Sequence, residues 1–145
     1  MDKFIRKLVK QHKTNCPFEL ASKLNITIIY EDLGKGTKGF FYHRLCHSYI
    51  VIDNNITYEE QRFTVAHELA HYFFDQGTSF FHLQRNTLQI CEKFEHRANR
   101  FAVYLLCFGD QIEHGETIRE FCLKHNIPED MHHYYISPKN NLYIS

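Results

Sequence analysis

His67-Glu68-Leu69-Ala70-His71 sets two imidazoles four residues apart, with a carboxylate directly after the first. On an α-helix, residues i and i+4 share a face, so both rings can aim a nitrogen at one ion. Glu68 then stands one step around the helix, beside the ion without ligating it. Zinc held this way lowers the pKa of its water, and the glutamate is placed to act as general base. Eleven histidines make chance matches to the pattern less rare than usual, so its setting has to carry weight. Phe63, Val65, Ala66, Leu69, Ala70, Tyr72 and Phe73 make the segment apolar almost all round, which predicts a buried helix. Ionisable groups in a buried helix are costly unless a metal or hydrogen bonds satisfy them. Thr57-Tyr58-Glu59-Glu60 reads as the capping box that starts this helix.

A third ligand must come from elsewhere, and His82, Cys91, Glu95 and His96 are the candidates. The metzincin spacing would need glycine at position 74 and histidine at position 77, where this chain has Phe74 and Gly77. From Thr87 to Leu106 the chain reads as a second long helix, with Leu88, Cys91, Ala98, Ala102 and Leu105 forming an apolar stripe. Glu95 falls in the middle of that stripe, and a carboxylate on a buried face needs a partner. Zinc ligation is one answer, and a structural salt bridge to Arg62 or Arg97 is the plainer one. Asn99, one turn on, is placed to hydrogen-bond a ligand histidine.

Glu60 to His71, followed by Glu95-His96-Arg97-Ala98-Asn99-Arg100-Phe101-Ala102-Val103-Tyr104-Leu105-Leu106, resembles the ImmA/IrrE family of metallopeptidases. The likeness extends upstream through Pro17 to Ala21, Tyr30 to Gly34 and Gly39-Phe40-Phe41. It implies a gluzincin-type site with His67, His71 and Glu95 on Zn2+ or another divalent ion, Glu68 as catalytic base and Asn99 in support. It also implies a protein substrate, a helix-turn-helix repressor whose cleavage derepresses genes of a mobile element, prophage or stress regulon. Two departures stand out: Ala70 where the family usually has glycine, and Cys107-Phe108-Gly109 in place of a proline-containing helix end. The competing reading is a binding module that sequesters the repressor without cutting it, with zinc structural. A hydrolase of non-peptide amides is a third.

The elements that must position these residues follow in order. Asp2 to about His12 and Pro17 to about Leu24 read as helices, the second opened by proline at its first position. Ile26 to Glu31, Lys38 to Arg44 and Ser48 to Ile52 read as strands, with Leu45-Cys46-His47 short enough for a hairpin turn. Asp75 to Asn86 forms a loop in which Phe80 and Phe81 serve as core anchors and His82 as a bystander. Thr117 caps a helix through about His125, and Asn126 to Asp130 begins a last short helix that ends before Ser137-Pro138. His114, His132, His133, Tyr134 and Tyr135 are the candidates for polarising a scissile carbonyl, with nothing to choose among them.

The expected fold is α+β and zincin-like, with a small antiparallel three-stranded sheet packed on the metal helix and a second ligand helix. Residues 1–145 are expected to form a single metallopeptidase domain. Seventeen basic and seventeen acidic residues cancel, which argues against direct nucleic-acid binding. The absence of a long apolar run or leader pattern predicts no membrane span and a cytoplasmic location. Five cysteines without C-x-x-C spacing predict reduced thiols rather than a disulfide framework or zinc knuckle.

Overall fold

The computed structural model describes residues 1–75 and 88–136, with Leu88–Cys91 described by backbone alone. In chain order the elements are α1 (Asp2–His12), α2 (Pro17–Lys23), β1 (Ile26–Glu31), β2 (Gly39–Arg44), β3 (His47–Asp53), α3 (Tyr58–Phe74), α4 (Leu88–Leu106), α5 (Ile118–Lys124) and a 3-10 helix (Glu129–Tyr134). The arrangement is α+β. The expected loop with Phe80, Phe81 and His82, and the Ser137-Pro138 stop, lie outside the described residues.

The sheet corrects the sequence expectation. Strand order is β1-β3-β2, and β3 runs antiparallel to β2 but parallel to β1, so the sheet is mixed rather than antiparallel. Two causes combine. Leu45-Cys46 closes a two-residue hairpin that makes β2 and β3 neighbours. Residues 32–38 then have to step over β3, two strand spacings or about 10 Å. β3 takes the centre because its Ile50, Val51 and Ile52 are buried, whereas both outer strands carry exposed positions.

Ladder phase decides what β2 presents at its edge. The Asp53 N–H donates to the Lys38 carbonyl at 2.8 Å. Phe40, Tyr42 and Arg44 therefore turn their main-chain groups toward β3, and Gly39, Phe41 and His43 turn theirs outward. α3 lies across the face that carries Gly39 and Phe41. A Cβ at Gly39 would sit 2.6 Å from Thr64 Cγ2 and 2.8 Å from the Val51 carbonyl oxygen, so only glycine allows this approach. Phe41 meets Tyr72 edge-on.

α3 begins as a capping box, the Thr57 hydroxyl accepting from the Glu60 N–H and the Glu60 carboxylate from the Thr57 N–H. It packs along α4, and both helices bury alanines, Ala66 and Ala70 on one and Ala98 and Ala102 on the other, which lets their axes come close. Ala70 is 1% exposed, so its methyl is accommodated where the resemblance would put glycine. Gly109, at φ 96°, turns the chain away after α4 without proline. Leu69, Val65, Ile50, Leu20, Ile5, Phe101, Leu105 and Phe121 fill the core between sheet and helices. No helix among the described residues is long and apolar enough to cross a membrane.

The hairpin turn is strained. Leu45 and Cys46 both adopt positive φ (49° and 63°), the type I′ geometry that favours Asn-Gly, and Leu45 is 80% exposed. Replacing the pair by Asn-Gly is expected to stabilise the protein by about 1 kcal/mol, raising Tm by about 2–4 °C in a thermal melt. An unchanged or lower Tm would contradict this account of the turn.

Candidate metal centre

α3 brings His67 and His71 to one face, and α4 crosses so that Glu95 meets them. His67 Nε2 lies 3.2 Å from His71 Nε2. The Glu95 oxygens lie 3.2 Å from His67 Nε2 and 3.3 Å from His71 Nε2. Bonds of 2.0–2.1 Å to a tetrahedral zinc would separate ligand atoms by about 3.3 Å.

The outer hydrogen bonds fix which atoms face inward. Asn99 donates its Nδ2 to the Tyr134 hydroxyl at 3.3 Å, which leaves its Oδ1 to accept from His67 Nδ1 at 2.7 Å. The Asp75 carboxylate accepts from His71 Nδ1 at 2.6 Å and pairs through its other oxygen with Arg97. Arg97 also stacks on the Phe74 and Phe94 rings. With both Nδ1 atoms carrying protons, two imidazole lone pairs and a carboxylate converge on one point, and only a proton or a cation reconciles them. The donor set therefore fits a divalent ion, and carboxylate- and amide-backed histidines are the usual support for one.

Electrostatics follow from this crowding. Hydrogen bonds from His67 and His71 hold the Glu95 carboxyl well below the usual carboxylate range. Burial works against a charged His71, but the Glu95 and Asp75 hydrogen bonds and the nearby Glu68 charge outweigh it, lifting the imidazole to about 9. Glu68 is 6% exposed, and burial pushes its carboxyl above the ordinary value; the Phe41 N–H donates to it and pulls the other way. An outward main-chain group of β2 thus reaches the residue between the two histidines.

Each sequence candidate has a definite place. The expected burial of Glu95 is corrected: its side chain is 55% exposed. Among the described side chains of α4 the buried stripe starts at Ala98, and Glu95 stands one turn before it, beside the two rings. Neither arginine partner takes it up, since Arg62 donates to the His125 carbonyl and Arg97 pairs with Asp75. His96 points away from the trio, with Nε2 3.7 Å from Glu92 and Nδ1 2.6 Å from the Tyr134 hydroxyl. His82 and the Cys91 side chain lie outside the described residues.

Of the carbonyl-polarising candidates, Tyr134 borders the centre, joined through Asn99 to His67. His132 is buried with Nε2 on the Ile127 carbonyl, Tyr135 packs on Phe121, and His114 and His133 are exposed. Asp75 and Arg97 were not singled out as site residues from the sequence. Asp75 stands four residues after His71, on the same helix face, and that spacing is the signal that could have found it.

Comparison with known proteins accords with this geometry. The model of the IrrE N-terminal-like domain, peptidase family M78, matches residues 21–114. "Uncharacterized immunity region protein 2" of Bacillus phage phi105 is 32% identical over 133 residues, covering 89% of this chain and 84% of the phage protein. "Metallopeptidase ImmA" of Bacillus subtilis (strain 168) is 30% identical over 102 residues, covering 70% of this chain and 60% of that relative's length. The family match takes in His67, Glu68, His71 and Glu95 together with the sheet edge that reaches Glu68, and the chain belongs to the ImmA/IrrE family of metallopeptidases.

Proposed function

We propose that this metallopeptidase is a zinc-dependent endopeptidase of the zincin type that cuts a helix-turn-helix repressor in the cytoplasm. Residues 1–145 are read as its single catalytic domain. The observation that carries the reading is the convergence of three groups able to ligate one ion, His67, His71 and Glu95, beside the buried Glu68. The names of the relatives, one an immunity-region protein and one a metallopeptidase, support a partner that regulates phage or mobile-element immunity. Two imidazoles and a carboxylate at tetrahedral spacing suit zinc better than the harder divalent ions, which prefer oxygen.

When bound, such an ion acidifies water and polarises a peptide carbonyl. The chain's own residues do the rest. Asn99 and Asp75 orient the two imidazoles so that their Nε2 lone pairs point inward. Glu68 accepts the proton of the attacking water and returns it to the leaving amine, and its burial raises its affinity for that proton. The Phe41 N–H is turned toward the carboxylate, and the remaining outward main-chain groups of β2, those of Gly39 and His43 and the Phe41 carbonyl, can pair with an extended segment of substrate. Tyr134 supports the arrangement from behind His67, its hydroxyl accepting from Asn99 Nδ2. Sequestration without cutting would leave a buried glutamate between two histidines with no task.

Glu68→Gln is expected to bind zinc as the parent does and to leave a mixed-in candidate repressor intact on a gel, while the parent produces chelator-sensitive fragments. Full cleavage by that variant would refute the assignment of the base. Asp75→Asn is expected to weaken zinc binding by about 10–100-fold in a chelator competition, and Glu95→Ala by more, because the first loses orientation and the second a ligand. Equal affinity in all three proteins would place the ion elsewhere.

The raised His71 gives a pH signature. Its Nδ1 is already protonated toward Asp75, so the proton bound up to about pH 9 sits on Nε2, the atom that faces the ion. Zinc uptake must expel that proton. Apparent affinity should therefore rise about tenfold per pH unit from about pH 7 to about pH 9 and then level off. A flat profile across that window would show that His71 is not a ligand.

A further inference from the structure

Among the described residues β2 is an edge strand, and its composition is unusual. Edges are normally protected by lysine, proline or inward charges, because unpaired main-chain groups invite another strand. From Gly39 to Tyr42 this edge carries no charge and three consecutive aromatic residues. Phe41 faces α3, but Phe40 and Tyr42 stand on the opposite face, where Phe40 is 43% exposed. Their rings form a short ladder: Phe40 and Tyr42 are 6.0 Å apart, and Tyr42 stacks on Tyr49 of β3 at 4.8 Å. Between those two rings, Phe41 turns to the other face and meets Tyr72 of α3, one residue after His71, which puts the ladder on the strand that borders the metal helix.

We propose that Phe40 and Tyr42 form a selectivity surface for extended peptides pairing with the edge of β2, favouring apolar or aromatic side chains at every second residue of the bound segment. A strand added there would lie about 4.8 Å from β2, with alternate side chains on the two faces. Those on the outer face would come within about 5 Å of Phe40 and Tyr42, the range in which cross-strand aromatic pairs attract. Those on the inner face would turn toward α3 and the zinc ligands. The inference rests on the peptidase reading for its choice of a peptide as occupant, but binding alone tests it.

The experiment is selection of a phage-displayed random-peptide library on the zinc-loaded Glu68→Gln chain, repeated on Glu68→Gln carrying Phe40→Thr and Tyr42→Thr. Threonine keeps strand propensity while removing the rings. The parent is expected to enrich peptides with apolar or aromatic residues two apart, and the threonine variant to lose about tenfold of that enrichment at unchanged zinc affinity. If the double variant does not fold, Phe40→Leu alone should shift the preference from aromatic toward aliphatic residues. No enrichment, no alternation, or the same peptides selected equally by the variants would overturn the proposal. So would a dimer in sedimentation that Phe40→Thr dissolves, which would assign the face to a second copy of the chain. Selective binding without any cleavage by the Glu68 protein would sink the peptidase reading and leave this one standing; cleavage with unselective binding would do the reverse.

Discussion

Two imidazole nitrogens and a carboxylate stand little more than 3 Å apart, close enough that only a shared proton or cation reconciles them. Left alone, such atoms repel, and the fold has to hold them together until a proton or cation arrives. Packing of α3 on α4 through buried alanines sets the distance between the histidines and the glutamate. Asn99 and the Asp75–Arg97 pair then hold each ring by its outer nitrogen, so that rotation cannot relieve the repulsion. The lifted His71 and depressed Glu95 are the same constraint seen as protonation: without an ion, a proton takes its place.

What could be read from the sequence was what depends on neighbours along the chain. The capping box at Thr57, the buried helix around His67 and His71, and the stripe Ala98, Ala102, Leu105 all follow from local chemistry and helical period, and they lie where that chemistry puts them. What escaped depends on contacts between distant segments. The parallel pairing of β1 with β3 is set by how β3's apolar residues bury, which no turn residue records. Glu95 was read as buried because periodicity cannot say where along a helix the core stops. Asp75 looked like the first residue of a loop, although its spacing from His71 places it on the same face. That Tyr134, alone of the aromatic and imidazole candidates, bonds Asn99 required knowing that the 3-10 helix returns there.

The corrected strand order bears directly on the chemistry. In an antiparallel meander β2 would lie between β1 and β3, and the main-chain groups of Gly39, Phe41 and His43 would be spent on β1. Inserting β3 between them leaves those groups on an edge that no described strand pairs, and the Phe41 N–H is then turned toward Glu68. With the larger effect of the His67 and His71 charges, that donor opposes burial, which still holds the carboxyl above its ordinary value. Gly39 completes the arrangement, since any side chain there would drive Thr64, and with it α3, away from the strand. The central strand, the glycine and the edge amide thus act as one device: they bring a main-chain donor to the carboxylate that follows the first histidine, and the open edge that results is the surface along which an extended peptide would approach it.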